Sequence, residues 1–259
     1  MKKLIITSLV LAYTLLLSCG TSAQETQNTD RSITMLIDCT AENLFNDIDR
    51  DIRANLPNFM QSTGIASITF LQSFTAKIGF VESTGDLSLT KESISLPQSN
   101  KVSNRKANEL RNPQPILNMI DKQLVIGKAI AANKQTKSPI VEVILKSMRE
   151  LSPETDETVM LFSDGVEYSD AANFYKSIPF SDETFEKYYA KLDPFILQEA
   201  TSKIASIQPT VVFYLKTSEE GINKANLKRF YSKFFEKIGV KNYMFLDNLT
   251  QNVQSFNVN

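Results

Sequence analysis

The chain has 259 residues, with 28 basic and 29 acidic side chains, a formal net charge of −1, two cysteines and no histidine. The missing imidazole excludes a Ser-His-Asp triad, a Cys-His pair and His-ligated zinc, and two cysteines are too few for a cysteine-rich zinc or iron–sulfur centre. Any metal in such a chain is a hard ion on oxygen ligands, and the balanced charge offers nucleic acid no electrostatic footprint.

The N-terminus reads MKKLIITSLVLAYTLLLSCGTSAQ. Lys2 and Lys3 precede an apolar stretch, Leu4 to Leu17, and then small residues, the pattern of a secretory signal. That stretch is shorter than the about 20 apolar residues a membrane-spanning helix needs. Leu16-Leu17-Ser18-Cys19 resembles a bacterial lipobox, which implies cleavage before Cys19 and lipidation of its thiol, with palmitate among the acyl chains. The alternative is an ordinary signal peptide cut after Thr21-Ser22-Ala23, with Cys19 discarded. The expected organisation is a signal peptide over residues 1–18, a polar tether over 19–31 and a single α/β domain over 32–259. The chain is thus expected to be extracytoplasmic, lipid-anchored to a membrane of the bacterial cell envelope. Cys39 is then the only remaining thiol, so a hydrophobic core alone holds the domain.

Residues 32–37 (SITMLI) read as a first buried strand, and residues 42–60 as an amphipathic helix with Leu44, Phe45, Ile48 and Ile52 on its stripe. Pro57 predicts that this helix stops close by. Residues 65–74 (IASITFLQSF) and 76–82 (AKIGFVE) read as two strands joined by a tight turn, which forces antiparallel pairing. Residues 83–115 are polar and read as a surface insertion, followed by helical patterns over 116–133 and 139–151. Residues 157–162 (ETVMLF) form the next strand and run into Ser163-Asp164-Gly165. The aromatic-rich segment 174–195 reads mainly as helix packing. A strand over 210–215 (TVVFYL), a helix over 223–238 and a last strand over 242–246 (NYMFL) complete the chain. Wholly apolar strands between amphipathic helices predict a doubly wound, mostly parallel sheet with one antiparallel edge strand and helices on both faces.

In such sheets, ligands bind beyond the carboxyl ends of the strands at the topological switch point. Two strands end near an aspartate there, in "MLIDCTAEN" (Asp38) and "LFSDGVE" (Asp164). Thr40 and Glu42 follow the first, and Thr136 lies in "KQTKSPIVEVILK" before an amphipathic helix. These motifs and the element order resemble a von Willebrand factor A domain. In that family a strand ending in D-x-S/T-x-S, a distant threonine and a strand ending in S-D-G hold one divalent cation. The resemblance implies that Asp38, Thr40, Thr136 and Asp164 hold Mg or Mn, with a coordination position left for a partner protein's carboxylate. Glu42 stands where the family has a second hydroxyl, and there it either ligates the ion or crowds it out. Read without the resemblance, Thr40 is an N-cap, Asp164-Gly165 a plain turn and Cys39 a small core side chain.

Asp38 also suggests a haloacid-dehalogenase-type phosphatase, whose strand ends in D-x-D-x-T with the first aspartate as nucleophile. Thr40 occupies the place of the second aspartate, so the general acid is missing. No P-loop, dinucleotide fingerprint or G-x-S-x-G elbow occurs. The sequence therefore points away from an enzyme and toward a protein-binding module, with or without its cation. In the metal-free alternative, segments 83–115 and 174–195 carry the contacts of a scaffold in an envelope or secretion complex.

Overall fold

The computed structural model describes residues 30–62, 73–94, 114–133, 135–216 and 222–249, with side chains of the first helix described up to Asn55. The expected signal peptide, nearly all of the tether and the apolar run 65–72 lie outside them. Six strands form one sheet in the order β3-β2-β1-β4-β5-β6. In chain order these are β1 (Asp30–Asp38), β2 (Phe74–Val81), β3 (Thr90–Ile94), β4 (Thr155–Ser163), β5 (Thr210–Leu215) and β6 (Asn242–Leu246). Every pairing is parallel except that of β3 with β2.

Period-two alternation builds the two faces. Ile33, Met35 and Ile37 of β1 and Met160 and Phe162 of β4 pack to one side. There they meet Phe45 and Ile48 of helix α1 (Glu42–Ser62) and Ile120 and Leu124 of α2 (Gln114–Ala131). Leu36, Val159 and Leu161 face the other side, against α3 (Ile140–Arg149), α4 (Asp182–Tyr189), α5 (Pro194–Ile207) and α6 (Lys224–Lys237). The fold is a doubly wound α/β sheet covered on both faces, as the apolar strands predict.

Three details differ from the sequence-based reading. Phe74, Thr75 and Ala76 lie within one continuous strand, so no turn separates residues 74 and 76. The antiparallel partner of that strand is β3, inside the segment read as an insertion, with Phe74 opposite Ile94 and Ile78 opposite Thr90. Helix α1 also passes Pro57 and ends at Ser62.

On the far face, Asp193 caps α5. Its carboxylate accepts from the amides of Phe195 at 2.8 Å and Ile196 at 3.1 Å, with Pro194 in the first helical turn. Asp193→Ala removes both acceptors and is expected to cost about 1 kcal/mol of stability in a urea titration. A loss below a few tenths of that would mean water replaces the cap without cost.

Candidate functional site

The strand order reverses between β1 and β4, where β1 leads outward to β2 and the chain later returns to β1's other side. Asp38 ends β1 and Ser163 ends β4, so both stand at the switch point, on the carboxyl edge where α/β sheets bind ligands.

Asp38 has no exposed surface. Its Oδ1 accepts from the Thr40 hydroxyl at 2.5 Å and the Thr40 amide at 2.9 Å, and its Oδ2 accepts from the Ser163 hydroxyl at 2.6 Å. Ser163 Oγ in turn accepts from the Gly165 amide at 2.9 Å. Thr40 Oγ1 also lies 3.3 Å from Ser138 Oγ, a side chain just before α3 that is itself buried. Burial raises the Asp38 pKa above the usual carboxylate range, and the bonds from Ser163 and Thr40 only partly oppose it.

Two other buried or half-buried carboxylates have cations within the chain, whereas Glu167, also buried, is held like Asp38 by neutral donors. Glu157 is paired with Lys77 at 3.1 Å, and Asp51 with Lys216 at 2.6 Å. Among the described residues, no lysine or arginine pairs with Asp38; its partners are all neutral donors. A buried carboxylate held only by neutral donors keeps an uncompensated charge when ionised.

The structure separates the sequence-derived site residues. Asp38 and Thr40 are joined directly. Asp164 is half-buried next to Ser163, and its Oδ1 accepts from the Val166 amide at 2.8 Å. Thr136 is exposed, and Ser138, two residues later, is the hydroxyl at Thr40. Glu42 is exposed in the first turn of α1, with no hydrogen bond to Asp38 or Thr40. The Thr40 hydroxyl bonds to Asp38 instead of capping α1. Cys39 is fully buried, and burial beside Asp38 and Glu82 pushes its thiol far above the ordinary value, so it stays protonated as a core side chain. Cys19 lies outside the described residues.

Ser138 and Ser163 are the site residues that sequence reasoning missed. Their signals were weak: a serine before the proline that opens α3, and a serine one place before the aspartate of S-D-G.

To a hard divalent cation this edge offers hydroxyl oxygens. Thr40 and Ser163 give their hydroxyl protons to Asp38, which leaves oxygen lone pairs for an acceptor role. The 3.3 Å between Thr40 Oγ1 and Ser138 Oγ is close to the roughly 3 Å edge of an octahedron with 2.1 Å metal–oxygen bonds. Among the described residues, no group of three or more His, Cys, Asp or Glu side chains is assembled. The set is therefore poor in charge and rich in hydroxyls. A hard cation here would have to keep most of its shell as water, as Mg²⁺ does.

No family model matches the chain, and no curated protein matches it. Among solved structures, the human COPII-coat protein Sec24c is similar over 78% of this chain and 28% of its own, at 14% identity and a TM-score of 0.37. Proximal thread matrix protein 1 from the mussel byssus is similar over 88% of this chain and 46% of its own, at 10% identity and a TM-score of 0.34. The chain thus spans less than half the length of either structure, and likenesses this loose carry no argument about its function.

Beside this edge, a cavity of about 420 Å³ is lined by Lys137, Pro139, Glu142, Glu167 and Lys191, among others. Its charged groups are mostly satisfied internally. Lys137 pairs with Asp170, Glu142 with Lys146, and Lys191 donates to the Ala171 carbonyl. Glu167 is fully buried and accepts from the Val141 amide at 2.9 Å, so it supplies an acceptor to the buried first turn of α3, whose amides lack acceptors within the helix.

Proposed function

We propose that the chain is a von Willebrand factor A-like module that binds another protein through a divalent cation held at the Asp38 edge. The observation that carries this reading is the Asp38 carboxylate, fully buried at the switch point and bonded only to neutral donors. The motifs around Asp38 and Asp164 support the same reading. Thr40, Ser138 and Asp164 would hold the cation, in part through waters, while Asp38 orients the hydroxyls and balances the charge. A bound cation supplies positive charge that can receive a partner's carboxylate. Thr136, exposed, drops from the ligand set, and Glu42 would add only long-range negative charge. The lipobox at residues 16–19 supports anchoring through Cys19 on the outer side of a membrane.

Calorimetric titration of the protein with Mg²⁺, Mn²⁺ and Ca²⁺ tests the cation. Saturable binding in the micromolar to millimolar range is expected, lost in Asp38→Asn and weakened about tenfold in Ser138→Ala, since one lost ligand costs on the order of 1.4 kcal/mol. Asp38→Asn keeps the side-chain volume, and circular dichroism checks that the variant is folded. A wild type that takes up no metal at millimolar concentrations would sink the proposal. The metal-free scaffold would then stand, and one observation favours it: both Asp38 oxygens already have hydrogen-bond partners within the chain.

A further inference from the structure

We infer that the cavity beside the Asp38 edge binds a small organic ammonium ion, an aliphatic primary amine whose charged head meets the Glu167 carboxylate. This inference does not depend on the proposed cation site.

Glu142, Glu167, Asp170 and Asp193 face Lys137 and Lys191 around the cavity. Lys137 holds Asp170 at 2.7 Å, and Lys146 matches Glu142 at 2.8 Å. Asp193 is bonded to the amides of Phe195 and Ile196, Glu167 to that of Val141, and Lys191 to the Ala171 carbonyl. The wall is therefore left negative by one charge when Glu167 is ionised.

Glu167 fixes where a cation goes. Its side chain is fully buried, yet Pro139, Glu142 and Ser169 around it all line the cavity, which puts the carboxylate on the inner wall. The amides of Ile140 and Val141 and the Ser169 hydroxyl donate to it. A carboxylate offers about four acceptor sites, so one more donor can be taken. The three donors present are neutral, and a buried charge without a counter-ion is costly. A second polar atom nearby also lacks a partner. The Tyr188 hydroxyl is buried, has no hydrogen-bond partner among the described residues, and feels the charges of both Glu167 and Glu142.

The rest of the wall selects the ligand class. Leu145, Leu192 and Ile196 give it an aliphatic side, and about 420 Å³ lies within the roughly 300–1,000 Å³ of small-molecule sites. A bare divalent ion needs several oxygens drawn together, and among the described residues no three acidic side chains are grouped to hold one. An ammonium group on a short alkyl body suits both parts: its N–H groups donate to Glu167 and its carbons cover Leu145 and Ile196. Burial pushes Glu167 up to about 7, so an ammonium, which pairs with the ionised form, binds more tightly as pH rises through 7. The other charged groups facing it are Glu142 on α3, the Lys137–Asp170 pair, and Lys191 and Asp193 ahead of α5. The phenols of Tyr188 on α4 and Tyr231 on α6 stay protonated in that range.

Calorimetric titration of the intact protein with n-pentylamine, in chelator so that the Asp38 edge is silent, tests this. Saturable binding is expected, about tenfold tighter at pH 8 than at pH 6. Pentanoate, with a similar alkyl body and the opposite charge, should not bind. Glu167→Gln keeps an acceptor for the Val141 amide and should lose at least about tenfold in affinity, together with the pH dependence. Ile196→Ser, on the half-buried aliphatic side, should weaken binding about fivefold and leave the pH dependence in place. No binding at millimolar amine, equal binding of pentanoate, a Glu167→Gln variant that binds like the wild type, or displacement of the amine by an equal concentration of K⁺ would each overturn the inference.

Discussion

Gly165→Ala should lower the unfolding free energy by about 3 kcal/mol. Gly165 sits at φ +76°, in the left-handed region, and a Cβ there would lie 2.6 Å from Leu215 Cδ1 and 3.3 Å from both Phe213 Cζ and Tyr231 Cε2. A left-handed non-glycine residue costs roughly 1–2 kcal/mol, and forcing a methyl into a packed core costs about 1–3 kcal/mol more. Gly239 separates the two contributions. Its φ is +90°, but the nearest atom to an added Cβ is 3.9 Å away. Gly239→Ala should thus show the backbone strain alone, about 1–2 kcal/mol. Equal losses in both variants by urea denaturation would show that the contact with Leu215 is relieved at no cost. The position also matters for the site. The Gly165 amide donates to Ser163 Oγ, and its carbonyl accepts from the Tyr231 hydroxyl at 3.1 Å. Any shift of this turn moves the hydroxyl that holds Asp38 Oδ2.

The second large effect is a loss of stability as pH rises. Burial pushes Glu167 from an ordinary value of 4.5 up to about 7, against hydrogen bonds from Ser169, Val141 and Ile140 that lower it. The folded state therefore binds this proton more tightly than the unfolded chain. The stabilisation is complete below pH 4.5 and is lost as pH climbs to about 7. Over that window the contribution falls by about 3 kcal/mol, at 1.36 kcal/mol per pH unit. Glu167→Gln keeps an acceptor for the Val141 amide and removes the titration. The wild type minus variant difference in unfolding free energy, measured from pH 4 to 8, should decline across the window and then level off. This subtraction cancels Asp38, whose raised pKa acts in the same sense. A difference that stays constant with pH would refute the assignment.

Much of the architecture was legible because it is periodic. The last strand was placed residue for residue at 242–246, and β5 likewise at 210–215, since both are apolar runs between polar loops. The core stripe of α1, with Phe45 and Ile48 fully buried, followed from 3.6-residue spacing. The aromatic segment 174–195 was read as packing, and Phe174, Phe185 and Tyr188 are indeed buried around Phe230. Tyr175 and Phe195 are the exceptions, both exposed. The antiparallel edge was misplaced because a hairpin inference uses only neighbouring residues. Strand pairing is decided by whichever segment reaches the free edge of β2, and β3, polar and mostly exposed, carried little apolar signal.

The amino-acid sequence by itself determined the class of fold, the absence of imidazole chemistry, and the carboxylate that ends β1. Those properties are composition and local periodicity, which need no knowledge of distant contacts. Tertiary structure decided which hydroxyls meet that carboxylate and the Thr40 hydroxyl bonded to it. Ser138 and Ser163 stand 100 and 125 residues from Asp38 along the chain, and Ser138 reaches the site through its backbone pairing with Tyr168. The side chain at Thr40 is thus set by the path of the segment before α3, where a two-residue offset exchanges an exposed threonine for a buried serine.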